Sequence, residues 1–283
     1  MTYLKFFNIY LLSLSFIDIM IKGGDIMPAG YAHYIFGQKV LEQLNPQIKE
    51  LVNRNIDLYN IGVHGPDILF YYNAIISNDV SRLGFGMHRK EAYDFFSYAK
   101  EIINKSKDKE ASIAYIYGFI THFTLDHACH PFVGEQEKEL NMSHSEIESE
   151  LDRALLVERN LNPLTTSLTT HIHPNQYVSK IIAPFFQLDE KDVYKALKDL
   201  LFYLGMIKAP GKIKRCFVHT CMKIGGIYDK YSGLMINYEP NLKSENCTKE
   251  LVHRIDASIH TAKQLIEEFL ENELADIYHN NFE

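Results

Sequence analysis

Two pairs of residues one helical turn apart carry the chemistry of this sequence. They are His122 with Asp126, inside His122-Phe-Thr-Leu-Asp126-His-Ala-Cys-His130-Pro131, and His144 with Glu148 shortly after. On a helix, residues i and i+4 share a face, so each pair can aim an imidazole nitrogen and a carboxylate oxygen at one point. Those are the ligand atoms zinc takes when cysteine is not used. One such pair alone reads as an ordinary surface contact. Two pairs with His130 between them, the first in an apolar stretch, read as a metal site, because buried ionisable groups are costly unless paired or metal-bound.

The 283-residue chain has ordinary globular composition, 46% hydrophobic and 23% charged, with a formal net charge of −7. It offers no basic footprint for nucleic acid. Its four cysteines, Cys129, Cys216, Cys221 and Cys247, include no C-x-x-C pair, so a cysteine zinc site is not expected and reduced thiols are. No His-Asp dipeptide, no H-E-x-x-H and only one E-x-x-H (Glu250 to His253) occur. HD-type phosphohydrolase, zincin and di-iron readings are correspondingly weak.

The elements that must position the ligands read as helices. The pattern predicts helices over Gly30 to Leu44, Gln47 to Asn53, 89–105 and 110–129, the last stopped by Pro131. Leu58 to Tyr72 is apolar but broken by Gly62, Gly65 and Pro66, which places Asp67 in a loop or at a helix start. Residues 73–87 read as a loop leading to His88. Ser143-His-Ser-Glu146 matches a capping box, so a helix should start at His144 and run to about Asn160, with Glu148 and Asp152 below His144. A loop over Leu161 to Asn175 and helices near 190–205, 210–231 and 248–278 complete an all-α chain. Among the aromatics, Tyr31, Tyr71 and Tyr72 could line a pocket. His64 and His127 suit surface or supporting roles, and His171 and His173 read as ordinary.

With these residues in order, the chain resembles the bacterial zinc-dependent phospholipase C family and its relatives, the single-strand-specific zinc nucleases. The matching residues are His33, Asp67, His88, His122, Asp126, His130, His144 and Glu148. One departure is the spacing from Asp126 to His130, which is shorter than in the well-studied members, with Pro131 following His130 rather than preceding it. The resemblance implies an all-α, multi-helical bundle with a C-terminal helical extension and up to three zinc ions. One zinc would take Asp67, His88, His122 and Asp126. A second would take His130, His144 and Glu148. The third would take His33, Asp126 and the N-terminal residue of the mature protein. It also implies hydrolysis of a phospholipid head group by metal-activated hydroxide, with Asp67 orienting or deprotonating the water. Asp152 would support a ligand histidine. A zinc nuclease or small phosphate-ester hydrolase is the alternative, and a non-catalytic helical metal-binding interaction protein the rival from another class.

Residues 1–26 read as a leader or mis-assigned start. Lys5 and the apolar run after it look signal-like, but Asp18 follows and no small-residue cleavage site appears. Lys22-Gly-Gly-Asp-Ile-Met27 can be encoded with a strong ribosome-binding site just before Met27. A start at Met27 would expose Pro28 as the terminal ligand after methionine removal and would make the protein cytoplasmic; a working signal would make it secreted or membrane-associated. The expected division is 1–26 as leader, 27–183 as the zinc-dependent phospholipase C-like domain and 184–283 as helices packed upon it. No transmembrane span is expected, and a phospholipid or another phosphodiester is the expected partner. Mass spectrometry of the native protein should find Pro28 at its N-terminus; an intact terminus upstream of Met27 would remove Pro28 from the ligand set.

Overall fold

The computed structural model describes residues 30–74 and 77–282. Among the described residues twelve α-helices follow one another: α1 (Gly30–Gln43), α2 (Pro46–Arg54), α3 (Ile56–Gly62), α4 (Asp79–His88), α5 (Ala92–Lys105), α6 (Lys109–Leu140), α7 (His144–Glu158), α8 (Gln176–Phe186), α9 (Glu190–Ile207), α10 (Lys212–Ile224), α11 (Tyr228–Tyr231) and α12 (Glu245–Glu268). Short 3₁₀ turns occupy Gly65–Tyr71, Ser232–Leu234, Leu242–Ser244 and Asp276–His279. No strand occurs among the described residues, so the all-α expectation holds. Pro28 and the segment 1–26 lie outside the described residues.

The long helix α6 is the axis of the bundle, and α1, α3 and α12 pack along it. From Ala111 to Asp126 nearly every side chain is buried, so this helix is surrounded by protein rather than facing water on one side. Its closest neighbour is α3. Gly62 and Gly118 meet at the crossing, where a β-carbon on Gly62 would strike the Tyr115 carbonyl and one on Gly118 the Tyr59 carbonyl. The backbones approach closely because neither residue has a side chain. That contact sets the level at which the chain leaves α3 and enters the Gly65–Tyr71 turn.

Several sequence expectations need correction. α6 runs straight past Pro131 to Leu140 instead of stopping at residue 129. Proline removes a single backbone donor, and that one loss does not outweigh the packing of a helix buried along most of its length. The Arg254 guanidinium donates to the Ala128 carbonyl (3.1 Å), next to the carbonyl of His127 that Pro131 leaves without its helical partner. The stretch expected as a loop before His88 contains α4. Its signal is a capping box in which Asn78 accepts from the Ser81 N–H (2.9 Å) and Ser81 Oγ accepts from the Asn78 N–H (3.2 Å). Gly84 and Gly86 hid it by lowering helix propensity. Gly84 is required by packing, since a β-carbon there would lie 3.0 Å from Leu69 and from the Pro66 carbonyl.

α8 was not expected from the pattern. The helix expected over 210–231 is α10 and α11 with a break between, and the one over 248–278 ends at Glu268. One core runs from Tyr31 to Phe282, and a second, small core gathers Ala209, Val218, Met222, Ile227, Tyr231, Leu234 and Met235. A methyl group at the tightest crossing should therefore be felt. Gly118→Ala is expected to cost about 1–3 kcal/mol in urea unfolding, while Gly134→Ala, with open space around it, should be neutral or stabilising.

Candidate metal centre

α6 and α7 form an antiparallel hairpin, and its turn explains how two ligand pairs meet. Asn141 ends α6 in the left-handed region (φ 50°), which asparagine tolerates. Ser143 Oγ then accepts from the Glu146 N–H (3.3 Å), which is one half of the expected capping box; the Glu146 carboxylate accepts instead from Asn241 Nδ2 (2.9 Å). His144 opens α7 with its N–H on Glu137 of α6 (2.9 Å) and Nδ1 facing the same carboxylate at 3.4 Å. Its Nε2 then points at Glu148 Oε1, 3.2 Å away. His130 Nε2 reaches the same oxygen at 3.8 Å.

The centre of the group is Asp126, only 2% exposed, with imidazoles on both oxygens. Oδ2 faces His122 Nε2 at 3.0 Å and His88 Nε2 at 3.7 Å. Oδ1 faces His33 Nε2 at 3.1 Å and His130 Nε2 at 3.4 Å. Because α6 continues through Pro131, the short spacing from Asp126 to His130 is simply one helical turn.

Asp67 is brought in by the turn after α3. It sits within the Gly65–Tyr71 helix and does not cap it, because the cap position belongs to His64. Its Oδ1 lies 3.0 Å from His88 Nε2 and 3.8 Å from His122 Nε2. Gly65, at φ 49°, makes this approach possible: any side chain there would run into the His122 ring. His88 ends α4, and its Nδ1 lies 3.0 Å from the Gly84 carbonyl, which directs Nε2 inward.

Three sets of side chains could each hold an ion: His33, His122 and Asp126; Asp67, His88 and His122; His130, His144 and Glu148. All eight candidate ligands within the described residues thus fall in these three sets. The donor set is nitrogen and carboxylate oxygen, as zinc accepts, and ligands around tetrahedral zinc stand about 3.3 Å apart. Seven of the eleven buried polar side-chain atoms lacking a hydrogen-bond partner among the described residues belong to this group: His33 Nδ1, Asp67 Oδ1, His88 Nε2, both ring nitrogens of His122, Asp126 Oδ2 and Glu148 Oε2. Orphaned buried polar atoms are rare in folded proteins. Their concentration at one point fits bound cations.

The electrostatics follow from burial and like partners. Burial raises the Asp126 carboxyl, but His122, His130 and His33 outweigh it and hold the group well below the usual range. Burial pulls His33 down and Asp126 pushes it back above its ordinary value. His88 is pulled down by burial but pushed up to about 9 by Asp67 and Asp126. His144 reaches about 10, Glu148 and Glu137 outweighing burial. His130 is the exception, its pKa lowered by burial.

Asp152 acts on the scaffold. Its two oxygens accept the Tyr31 and Ala32 N–H groups at 3.3 and 2.8 Å, anchoring the first turn of α1 one residue before His33. Burial raises its pKa to about 7. Tyr72 does not face the ligands through its hydroxyl, which donates to Asp192 (2.9 Å). Tyr31 and Tyr71 are buried.

Two features escaped sequence reading. His64 and His171 are both buried, with their Nε2 atoms 2.7 Å apart, and Tyr34 stacks on His171. Burial lowers both pKa values, so the pair is neutral and one ring donates to the other. This ties the 160–175 loop to the strand of chain before Asp67. The C-terminus closes the other side: Phe282 is fully buried against the His88 and His122 rings, and its N–H donates to the His88 carbonyl (3.2 Å). Leu251 of α12 lines a cavity of about 20 Å³ beside His33, Asp126, His130 and Glu148. A roomier cavity, about 150 Å³ between the 163–169 loop, α9 and Arg215, contains none of the ligand candidates.

A family model described as zinc dependent phospholipase C matches residues 32–203. No curated protein and no solved structure matches the chain.

The raised pKa values of His88 and His144 make a signed prediction for metal-free protein. A histidine whose folded pKa exceeds its unfolded value stabilises fully below about 6.5 and loses that contribution as pH rises through the folded value. The melting temperature of chelator-treated protein should therefore fall between about pH 6.5 and pH 10. The gain on adding zinc should grow over the same range, because the metal needs neutral imidazole. Calorimetry finding a flat or rising metal-free curve would contradict this charge arrangement.

Proposed function

The chain belongs to the zinc-dependent phospholipase C family, and on that premise we propose that it is a zinc phosphodiester hydrolase that cleaves phospholipid head groups on the glycerol side. The observation that carries the reading is Asp126, whose two oxygens face different histidines at 3.0–3.7 Å, as a carboxylate shared between two cations requires.

In this reading Asp67, His88, His122 and Asp126 would hold one zinc, and His130, His144 and Glu148 would hold a second. His33 and Asp126 would contribute to a third. Zinc so held supplies Lewis acidity to a phosphoryl oxygen and acidifies water. The chain's own contributions are orientation and proton handling. Asp67 is the most open of the three carboxylates, 15% exposed against 2% for Asp126 and 5% for Glu148. That exposure suits it to hold and take a proton from an incoming water. The Glu137 carboxylate orients His144, and the Gly84 carbonyl orients His88. Asp152 holds His33 through the backbone of α1.

Elemental analysis of gently purified full chain should find about three zinc ions, the number the ligand set supports. Asp67→Asn should lower kcat on a short-chain phosphatidylcholine by about 10²–10⁴-fold with most of the metal retained. Asp126→Asn should lose metal and activity together. A preference for single-stranded DNA or for p-nitrophenyl phosphodiesters over phospholipid would move the assignment to the nucleases or to small-ester hydrolases. Folded protein without metal that never met a chelator would end it.

A further inference from the structure

α10 carries a surface unlike the rest of the molecule. Its sequence, KIKRCFVHTCMKI, holds no acidic residue, in a chain whose formal net charge is −7. Val218, Cys221 and Met222 form its buried side. On the outer side Ile213 is 90% exposed, Ile224 63% and Phe217 42%. At 3.6 residues per turn, Ile213, Phe217, Thr220 and Ile224 fall in a stripe about 60° wide. Lys212 and Lys223 border one edge of that stripe and Lys214 the other, and all three are exposed. Lys214 is also bonded to the Gly205 and Lys208 carbonyls at the end of α9 (2.9 and 2.8 Å). One turn back on α9, Phe202 is 57% exposed. Among the described residues no carboxylate lies within ion-pair distance of Lys212, Lys214, Arg215 or Lys223.

Branched aliphatic and aromatic side chains kept in water at helical spacing are the mark of an interaction face. Cations along both edges narrow the partner. An apolar stripe flanked by lysines that have no carboxylate partner is what a helix lying in a bilayer interface presents: the apolar groups enter the boundary between head groups and acyl chains while the lysines meet lipid phosphates. A symmetric pairing of two copies would set these lysines against their like, which is unfavourable. We infer that the outer face of α10, with Phe202 beside it, docks the protein on anionic phospholipid membranes. Ile213, Phe217 and Ile224 are the inserting residues, and Lys212 and Lys223 are the lipid-phosphate contacts. α10 lies beyond the stretch that the family match covers, which ends at residue 203. The proposal rests on the phospholipase reading for its purpose, since it would bring the hydrolytic site to a substrate that exists as a surface.

The test is co-sedimentation of the zinc-loaded full chain with vesicles of phosphatidylcholine alone or enriched in phosphatidylglycerol. Wild-type protein should bind the anionic vesicles more tightly, and less so at high salt. Lys212→Glu with Lys223→Glu should weaken anionic binding by at least about fivefold per reversed charge. Ile213→Ser with Phe217→Ser and Ile224→Ser should weaken binding to both vesicle types by about tenfold or more. All these positions are exposed, so both variants should keep wild-type circular dichroism and wild-type hydrolysis of a monomeric short-chain substrate. Wild-type protein that ignores anionic vesicles overturns the inference, and so do variants that bind as wild type does. Sedimentation velocity in which the serine variant changes only self-association overturns it as well, assigning the face to a second copy. Absence of hydrolysis with vesicle binding intact would sink the phospholipase reading alone and leave this face as a membrane contact.

Discussion

A single buried carboxylate governs the architecture. Asp126 sits in the middle of α6 with almost no solvent contact, and four imidazoles converge on its two oxygens. A lone charge so placed would cost several kcal/mol even after relaxation. The fold meets that cost by importing partners from separate parts of the chain: His33 from α1, His88 from the end of α4, and His122 and His130 from one turn on either side in α6. Each import constrains an element, because α1, α4 and α6 must pack so that these imidazoles reach Asp126.

Small residues make the convergence sterically possible. Gly62 and Gly118 let α3 lie against α6 at backbone distance, and Gly65 lets the following turn pass over the His122 ring. Gly84 does the same where α4 crosses Leu69 and the Pro66 carbonyl. Around the ligands a second layer sets orientation. Glu137 directs His144, the Gly84 carbonyl directs His88, and Asp152 fixes the start of α1 through backbone N–H groups. The C-terminal part of the chain belongs to this layer as well, because Phe282 covers the His88 and His122 rings and Leu251 lines the space beside Asp126.

The molecule separates two electrostatic tasks. The ligand cluster gathers carboxylates in a buried position, where bound cations would reverse the local field. α10 gathers cations on an exposed ridge at some remove in the sequence, on its own small core of Val218, Met222, Ile227 and Met235. Under the docking inferred for α10, such a division would let an acidic chain meet an acidic lipid surface at one defined face. No helix among the described residues is long and apolar enough to cross a membrane, so any contact of these helices with lipid would be interfacial.

The sequence by itself determined the helical class and the two i,i+4 pairs, because helical periodicity is a local property; His33, Asp67 and His88 joined the candidate ligands only through the resemblance to a family, since each alone reads as an ordinary residue. It also carried the start of α7 in Ser143 and Glu146. It did not reveal that α6 continues through Pro131, since one missing hydrogen bond is a local penalty and the packing that outweighs it is not local. α4 was hidden for a similar reason: Gly84 and Gly86 lower propensity, yet Gly84 fits a close approach to Leu69 and the Pro66 carbonyl that the local sequence does not announce. The role of Asp152 and the pairing of His64 with His171 were invisible, because the partners lie more than a hundred residues away. Which oxygen of Asp126 faces which histidine was likewise decided only when α1, α4 and α6 packed together, for a side chain's partners across helices depend on crossing geometry that no spacing in the chain encodes.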